Sequence, residues 1–244
     1  MELVLDFGNT ARKIALFDDG VLQLLESYPE ISPEIIASFI SRHPGITSCI
    51  LSSVVQHPPG INDLLVSGFR TLIADHHTLL PIRNGYGTPE TLGMDRLAAA
   101  VAGACEFPGK PVLVINAGTA ITYDFINSSG EYLGGAISPG MKLRFKSLHT
   151  FTGKLPLVDY KESVPVLETN TENSILSGVI NGIAGEIEAF ADHYHAENPE
   201  LKIILSGGDM NYFVKRLKIS IFAVTNIVLT GLHQILLFNV SKIP

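Results

Sequence analysis

The segment Leu3-Val-Leu-Asp-Phe-Gly-Asn-Thr-Ala-Arg-Lys13 decides the fold of this 244-residue chain. Residues 3–5 form an apolar run typical of a buried strand, and residues 13–17 are interpreted as the strand that returns. Gly8 and Asn9 lie between them and are expected to turn with positive φ. The segment therefore predicts a hairpin that carries an acid, a tight turn and a base at one end.

Such a hairpin end is suited to phosphate. Asp6 can hold a Mg²⁺-bound water, backbone N–H groups of residues 8–10 can contact phosphate oxygens, and Lys13 can add a positive charge. An ordinary hairpin with an Asx-type turn explains the same residues, because Asp, Gly and Asn are common in turns. The segment alone leaves both interpretations open.

The composition is that of a globular protein, with 46% hydrophobic residues, 17% charged residues, 22 Gly and 14 Pro. The length allows one core or two related lobes. A net charge of −7 argues against nucleic acid as the main partner. Anionic ligands would therefore need local basic side chains and backbone N–H groups.

Two further features concern location. Cys49 and Cys105 are the only cysteines and are interpreted as reduced core residues that form no metal cluster. The first residues lack the pattern of a signal peptide, and the longest apolar segment, residues 227–240, is too short and too interrupted to span a bilayer. We expect a cytoplasmic protein without membrane contact.

The first half of the chain reads as a strand meander followed by alternating helices and strands. The third strand is predicted at residues 21–28, and a helix capped at Ser32-Pro33 follows it. Strands are then expected at residues 48–52 and 71–74 with a helix at residues 62–66, and the Gly- and Pro-rich residues 78–89 are expected to be a loop.

An Ala-rich helix is predicted from Thr91, its expected N-cap, to Cys105. Asp95 and Arg96 would lie in its first turn. The helix dipole alone explains an acid at that position, but it disfavours a base there. Arg96 therefore indicates an anionic group nearby.

The pattern of the first half starts again after the linker at residues 107–111. Strands are predicted at residues 112–115, 120–126 and 132–137, and the polar turn Asn116-Ala-Gly-Thr119 corresponds to Asp6-Phe-Gly-Asn9. We therefore predict two related α/β lobes, residues 1–110 and 111–244, each offering one hairpin to a shared cleft.

The last third contains two further helices and a glycine turn. A short helix is predicted at residues 141–148, and a long one at residues 171–194 whose Gly178, Gly182 and Gly185 suggest close approach of another backbone. Ser206-Gly-Gly-Asp209 is suited to a base or ribose that passes close to the main chain. A last strand is expected at residues 219–224 and a last helix at residues 226–238.

These motifs, in this order, resemble those of type III pantothenate kinases. The matching pieces are Asp6-Phe-Gly-Asn-Thr-Ala-Arg-Lys13, Tyr86 before Gly93-Met-Asp-Arg96, Ala117-Gly-Thr-Ala120, Gly134-Gly-Ala-Ile-Ser-Pro-Gly140, Leu155-Pro156, Asn170-Thr171 with Gly178, and Ser206-Gly-Gly208. The resemblance covers nearly the whole chain. It implies two ribonuclease-H-like lobes of the actin-like ATPase fold, with the nucleotide cleft between them.

The resemblance also implies an activity, which is ATP-dependent phosphorylation of pantothenate, the first step of coenzyme A biosynthesis. It implies Mg²⁺, a monovalent cation (K⁺ or NH₄⁺) and a homodimer that shares its sites. By carry-over, ATP would be bound by Asp6, Phe7, Gly8, Asn9, Thr10, Ala11, Arg12, Lys13 and Thr119, and pantothenate by Tyr86, Gly93, Met94, Asp95, Arg96 and the partner subunit's Thr171. Asp95 would be the catalytic base.

One position departs from the family pattern. The second turn normally begins with Asp, which is associated with the monovalent cation, and this chain has Asn116. An amide oxygen still coordinates a cation but adds no negative charge. Two other functions stay open: a kinase of another small alcohol, which the same fold allows, and a non-catalytic regulatory member of the family, which Asn116 favours.

Overall fold

The computed structural model describes residues 1–162 and 164–242, and the chain forms two compact units. The first unit comprises residues 1–106 and the C-terminal segment that begins at Asn226, and the second comprises residues 107–225. The sequence places that C-terminal segment in the second lobe instead. The last two residues of the predicted second lobe, 243 and 244, lie outside the described residues.

The first unit contains a mixed sheet. Its strands are β1 (Glu2–Phe7), β2 (Arg12–Asp18), β3 (Val21–Tyr28), β4 (Ser48–Ser53) and β5 (Arg70–Ile73), with a two-residue strand β6 (Arg83–Asn84) in the loop that follows. Its helices are α1 (Pro33–Arg42), α2 (Gly60–Gly68), α3 (Met94–Glu106) and, at the C-terminus, α7 (Ile227–Asn239), with 3₁₀ turns at Pro89–Thr91 and Val240–Lys242. The strand order is β3-β2-β1-β4-β5.

Strand β1 lies at the centre of this sheet, and its continuous apolar run, Leu3 to Leu5, is buried as expected for a strand covered on both faces. It pairs antiparallel with β2 and parallel with β4. Leu3, Leu5 and Phe7 are fully buried on one face, in a cluster that includes residues of α1 and α2. Helix α1 begins as predicted, since Ser32 caps it by accepting a bond from the Ile35 N–H (3.5 Å).

Helix α7 belongs to the first unit because it packs tightly against α3. The Ala-rich α3 presents small side chains, and α7 presents Gly231 to them. A Cβ at Gly231 would overlap the carbonyl group of Ala98. Small residues on both helices therefore allow close backbone contact. Helix propensity does not predict this contact, because it depends on tertiary packing.

The second unit repeats this arrangement. Its elements are β7 (Val112–Ala117), β8 (Ala120–Ile126), β9 (Glu131–Pro139), α4 (Met141–Phe151), α5 (Thr171–Glu197), β10 (Lys202–Ser206), α6 (Met210–Val214) and β11 (Phe222–Ala223). The neighbouring strands run in the order β11-β10-β7-β8-β9. Strands β7, β8 and β9 form an antiparallel meander, and β10 and β11 extend it in parallel. The expectation of two related α/β lobes is confirmed.

Helix α5 covers the sheet of the second unit with a buried stripe that includes Ile180, Ile183 and Ile187. Its three glycines lie elsewhere on the helix. A Cβ at Gly178, Gly182 or Gly185 would meet no atom within 4 Å. The close backbone that these glycines suggest is therefore not supplied by the described part of the same chain.

Several local predictions are wrong. Gly8 and Asn9 do not have positive φ. The turn spans residues 8–11 and is closed by a bond from the Gly8 N–H to the Ala11 carbonyl (3.1 Å). Thr91 ends a 3₁₀ turn, and α3 begins at Met94 instead. The last strand is only two residues long.

Two findings bear on the predictions about location. Cys49 is buried, as expected, but Cys105 is exposed near the end of α3, so the prediction of a core position for Cys105 is wrong. Among the described residues, no helix combines the length and the hydropathy that a bilayer span requires.

Candidate functional site

The end of the β1–β2 hairpin is the first part of the candidate site. Asp6 lies opposite Lys13, and Phe7 lies opposite Arg12, at the last pairs before the turn. Phe7 is fully buried, and its carbonyl accepts a bond from the Val54 N–H (3.1 Å), so it belongs to the core of the sheet. The turn residues Gly8, Asn9, Thr10 and Ala11 follow, with Asn9 and Thr10 exposed and Gly8 and Ala11 half-buried.

Asp6 has the most perturbed carboxyl group of this hairpin. The pKa of Asp6 is raised from 3.8 to about 6. Burial is the largest cause, the positive charge of Lys13 acts in the opposite direction, and the negative charge of Asp95 adds to the increase. The two carboxylates are therefore close enough to interact, although they belong to different elements. A cation between or beside them would relieve this repulsion.

Asp95 lies in the first turn of α3 and is held there by local contacts. The Arg96 N–H donates to Oδ1 of Asp95 (3.0 Å). A Cβ at Gly93 would overlap the same oxygen. Gly93 is therefore needed to leave room for this position of the carboxylate, which explains the glycine two residues before an acid.

Arg96 and Tyr86 complete this part of the site. Arg96 is buried (7% exposed), and its guanidinium carbon lies 5.9 Å from the centre of the Tyr86 ring, within the range of a cation–π contact. The Tyr86 N–H donates to Oδ1 of Asn84 (3.0 Å), which fixes the loop. Met94 is also buried, so its side chain belongs to the core. The structure thus brings the predicted residues Asp6, Lys13, Tyr86, Asp95 and Arg96 to one region of the first unit.

The second turn, at the end of β7, lies in the second unit. Asn116 is paired with Thr122 on β8 and with Ser206 on β10. The Gly118 N–H donates to the Ala120 carbonyl (3.0 Å), and the Gly140 N–H donates to the carbonyl of Thr119 (3.0 Å). The turn is therefore held in place from β9 as well as from β7 and β8.

Two glycines near this turn have clear physical reasons. A Cβ at Gly140 would overlap the carbonyl of Gly118, and a Cβ at Gly207, whose φ is +97°, would overlap the carbonyl of Ala117. Gly208, in contrast, has nothing within 4 Å of its Cβ position. The glycine turn after β10 therefore combines one glycine that packs against β7 with one that leaves the main chain open.

Thr171 is exposed at the first residue of α5, and Asn170 caps that helix by accepting a bond from the Asn173 N–H (2.9 Å). Thr171 lines a cavity of about 870 Å³ between α4, α5 and the segment that joins them. Arg144 also lines this cavity, and its charge is balanced by Glu186 (Nη2 to Oε2, 2.5 Å).

Within the described residues, no group of three or more His, Cys, Asp or Glu side chains is arranged to hold a metal ion. Mg²⁺ at phosphoryl-transfer sites needs no such cage, because it keeps several waters and uses one or two carboxylates together with phosphates. The Asp6 carboxylate, with the Asp95 carboxylate close enough to affect its pKa, fits this mode of binding.

One residue of this region was missed by sequence reasoning. Ser52 lies opposite Asp6 on the neighbouring strand β4, and its side chain is fully buried. Only the register of a parallel strand pair places it there. The strand pattern of residues 48–52 carries no signal that would have identified it.

Comparisons with known proteins identify relatives over the full length. The sequence model of one family, described as type III pantothenate kinase, matches residues 2–193. The type III pantothenate kinase of Phocaeicola vulgatus is 43% identical over 98% of this chain and 99% of its own length. That of Bacteroides fragilis is 40% identical over 100% of both chains.

Solved structures share the fold at much lower identity. A Campylobacter jejuni protein that carries the name Baf family transcriptional activator is 20% identical, with a TM-score of 0.58 over 98% of this chain and 99% of its own. A ROK family glucokinase from Streptomyces griseus is 10% identical, with a TM-score of 0.50 over 95% and 97%. These similarities establish the actin-like ATPase fold and carry no argument about substrate.

Proposed function

This chain belongs to the type III pantothenate kinase family, and from that membership we propose which of its residues perform the reaction. The family reaction is phosphorylation of pantothenate by ATP in coenzyme A biosynthesis, and the chain is a kinase of this kind. The observation that supports the assignment of the site is the effect of the Asp95 charge on the pKa of the buried Asp6, because it favours a phosphate-binding hairpin beside a candidate base.

Asp95 is the proposed catalytic base. An alcohol that attacks a phosphoryl group needs a carboxylate to accept or orient its proton. The bond from the Arg96 N–H to Oδ1 fixes the orientation of the Asp95 carboxylate. Asp95 would take the proton of the pantothenate hydroxyl as that oxygen approaches the terminal phosphoryl group of ATP.

The proposed ATP contacts come from both turns. In the first unit, the turn at residues 8–11 and the ammonium group of Lys13 would stabilise phosphate oxygens, where negative charge is concentrated. The Gly8 N–H is already bonded to the Ala11 carbonyl, so it does not serve as a donor there. In the second unit, Thr119 contributes from the β7–β8 turn. Mg²⁺ would be held through water by Asp6 and by the phosphates, and it would neutralise phosphate charge there.

The proposed pantothenate contacts are Tyr86 and residues 93–96. Arg96 would offer a positive charge to the pantothenate carboxylate. It lies at the start of α3, within cation–π range of Tyr86, the other proposed contact. We further propose a homodimer in which the partner's Thr171 completes each pocket. The open surface at Gly178, Gly182 and Gly185 supports this, because it allows a second backbone to approach α5.

A monovalent cation at Asn116 is also proposed, either K⁺ or NH₄⁺. The amide oxygen of Asn116 is one candidate ligand at the end of β7, beside Ser206 on β10. Cytoplasmic location stays a prediction of the sequence.

The direct test is a coupled assay with purified protein, ATP, Mg²⁺ and pantothenate, with and without K⁺ or NH₄⁺. Phosphopantothenate formed in proportion to enzyme is the expected result. ATP turnover that does not depend on pantothenate, but does depend on another alcohol, would contradict the substrate. Nucleotide binding without any turnover would favour the regulatory function.

The first prediction concerns Asn116. Asn116→Asp should strengthen the dependence of activity on a monovalent cation, because it adds the negative charge that the family usually carries there. The measurement is kcat/KM as a function of K⁺ and NH₄⁺ concentration for both proteins. Superimposable titrations would mean that residue 116 does not face the cation, and activity that appears only in the variant would identify the natural chain as a degenerate enzyme.

The second prediction concerns pH. Because the pKa of Asp6 is raised to about 6, its neutral form accumulates as pH falls through 6, and binding that needs the charged form should weaken by up to about tenfold per pH unit below that value. Asp95→Asn removes a negative neighbour, so it should lower the pKa of Asp6. The loss of affinity at acid pH, the acid limb of the curve of affinity against pH, should then move to lower pH.

Calorimetric titration with Mg·ADP between pH 5 and 8 checks this. Asp63→Asn is the matched control, because Asp63 is also an acid in the first turn of a helix, α2, and should leave the acid limb unchanged. The nucleotide's own titration is common to all three proteins and cancels. An acid limb that Asp95→Asn does not move would contradict the proximity of the two carboxylates.

A further inference from the structure

Ser52 is the strongest feature of the site that the proposed function does not use. Its side chain is 0% exposed, and its Oγ is buried without a hydrogen-bond partner in the described part of the chain. A buried hydroxyl normally has such a partner, because losing water without a replacement bond costs stability. An exception of this kind calls for a physical explanation.

The register of the sheet places Ser52 beside Asp6. Strands β1 and β4 are parallel neighbours, and Asp6 is paired directly with Ser52 near their carboxyl ends. Paired residues of adjacent strands point to the same face of a sheet, and adjacent strands lie about 4.8 Å apart. The Ser52 hydroxyl therefore needs only a rotation about its own Cα–Cβ bond to approach the Asp6 carboxylate.

The same pairing occurs in the second unit. Asn116, which corresponds to Asp6, is paired with Ser206 on the parallel neighbour β10, and Ser206 is 1% exposed. A buried serine thus accompanies the polar residue at the end of the central strand in both halves. Two independent strand pairs with this arrangement favour a role connected with the turn over a chance burial.

We propose that Ser52 is a positioning residue for the reaction. Its hydroxyl donates a hydrogen bond to one oxygen of the ionised Asp6 carboxylate and so directs the other oxygen towards the Mg²⁺-bound water at the nucleotide phosphates. Ser52 acts through Asp6 and touches neither the nucleotide nor pantothenate. The inference rests on the proposed role of Asp6.

If Ser52 had a purely structural role, the expected effect of Ser52→Ala on ligand binding would differ, whereas the expected effect on stability would not. If Ser52 only fills space, then Ser52→Ala removes a buried polar atom without a partner, and the variant should be at least as stable as the parent with unchanged ligand binding. If Ser52 positions Asp6, the variant keeps or gains stability but loses affinity for Mg·ATP. Binding of Mg·ATP therefore separates the two roles, and stability measured on the same protein shows that the variant is folded.

The experiment compares Ser52→Ala with Ser48→Ala. Ser48 is the matched control because it lies on the same face of β4, is 2% exposed and is paired with Glu2 instead of Asp6. For Ser52→Ala we expect a roughly tenfold weaker Kd for Mg·ATP, which is the lower end of what a hydrogen bond to a charged group contributes. For Ser52→Ala, KM for pantothenate should be unchanged and the Tm should be unchanged or raised. Ser48→Ala should leave Kd, KM and Tm unchanged.

A double-mutant cycle with Asp6→Asn makes the proposal falsifiable even if one variant is less stable. Because Ser52 acts through the Asp6 carboxylate, Ser52→Ala should not weaken nucleotide binding further in the Asp6→Asn background. Binding is followed by ligand-observed NMR up to millimolar Mg·ATP, so no turnover is needed. Additive effects, or an affinity of Ser52→Ala within twofold of the parent, would overturn the proposal.

Failure of the proposed function gives a different result. In that case, pantothenate is not phosphorylated by the unmodified protein, whereas the coupling between Ser52 and Asp6 is still measurable through Mg·ATP binding. Phosphorylation with no coupling between the two residues refutes only the role of Ser52.

Discussion

Asp95→Asn should lower kcat by at least ~10²-fold while the protein stays folded, because it removes a proton acceptor and keeps the shape of the side chain. The Asn oxygen still accepts the bond that the Arg96 N–H donates to Asp95, so the start of α3 keeps its geometry. KM for pantothenate should change much less than kcat, since the lost interaction develops only as the proton moves. Steady-state kinetics with the coupled assay measure both constants.

Asp63→Asn again provides the matched control. It makes the same chemical change in the first turn of α2, where the carboxylate interacts with the helix dipole but lies outside the proposed site. Asp95→Asn also removes the repulsion between Asp95 and Asp6, so neither variant should lose more than a small amount of stability, and only Asp95→Asn should lose activity. Near-normal turnover of Asp95→Asn would refute its role as the base.

Mixing two inactive variants, Asp95→Asn and Thr171→Arg, should restore activity to roughly a quarter of the unmodified level if each site uses Asp95 of one subunit and Thr171 of the other. A mixed dimer has both defects in one site and leaves the second site intact. Random exchange makes about half of the dimers mixed, and each of these has one good site of two. Thr171 is exposed at the start of α5, so the arginine should not disturb the core of its own chain.

The control for this experiment mixes Asp95→Asn with Asp6→Asn. Both residues belong to the same part of the first unit, as their electrostatic interaction shows, so every site in the mixed dimer has one defect. No activity should return. Mass measurements establish that mixed dimers have formed. Mixed dimers of the first pair that stay inactive would contradict the shared site.

The sequence determines most of the local structure. Strand β3 and strand β8 have the bounds predicted from alternation and turn residues, and α1 begins at its predicted cap. The repeat of a meander followed by parallel strands is also readable, because strand periodicity and turn chemistry depend on residues that are close along the chain. The resemblance to type III pantothenate kinases is confirmed by relatives that match over the full length.

Only the tertiary structure decides which distant residues meet. The interaction of Asp6 with Asp95, the contact of Arg96 with Tyr86 and the burial of Ser52 depend on how α3 and β4 pack beside β1. The place of α7 in the first unit likewise depends on the fit of Gly231 against Ala98. Periodicity specifies which face of an element is buried but not its neighbour, and that choice is made by the shape and burial of side chains from different parts of the chain.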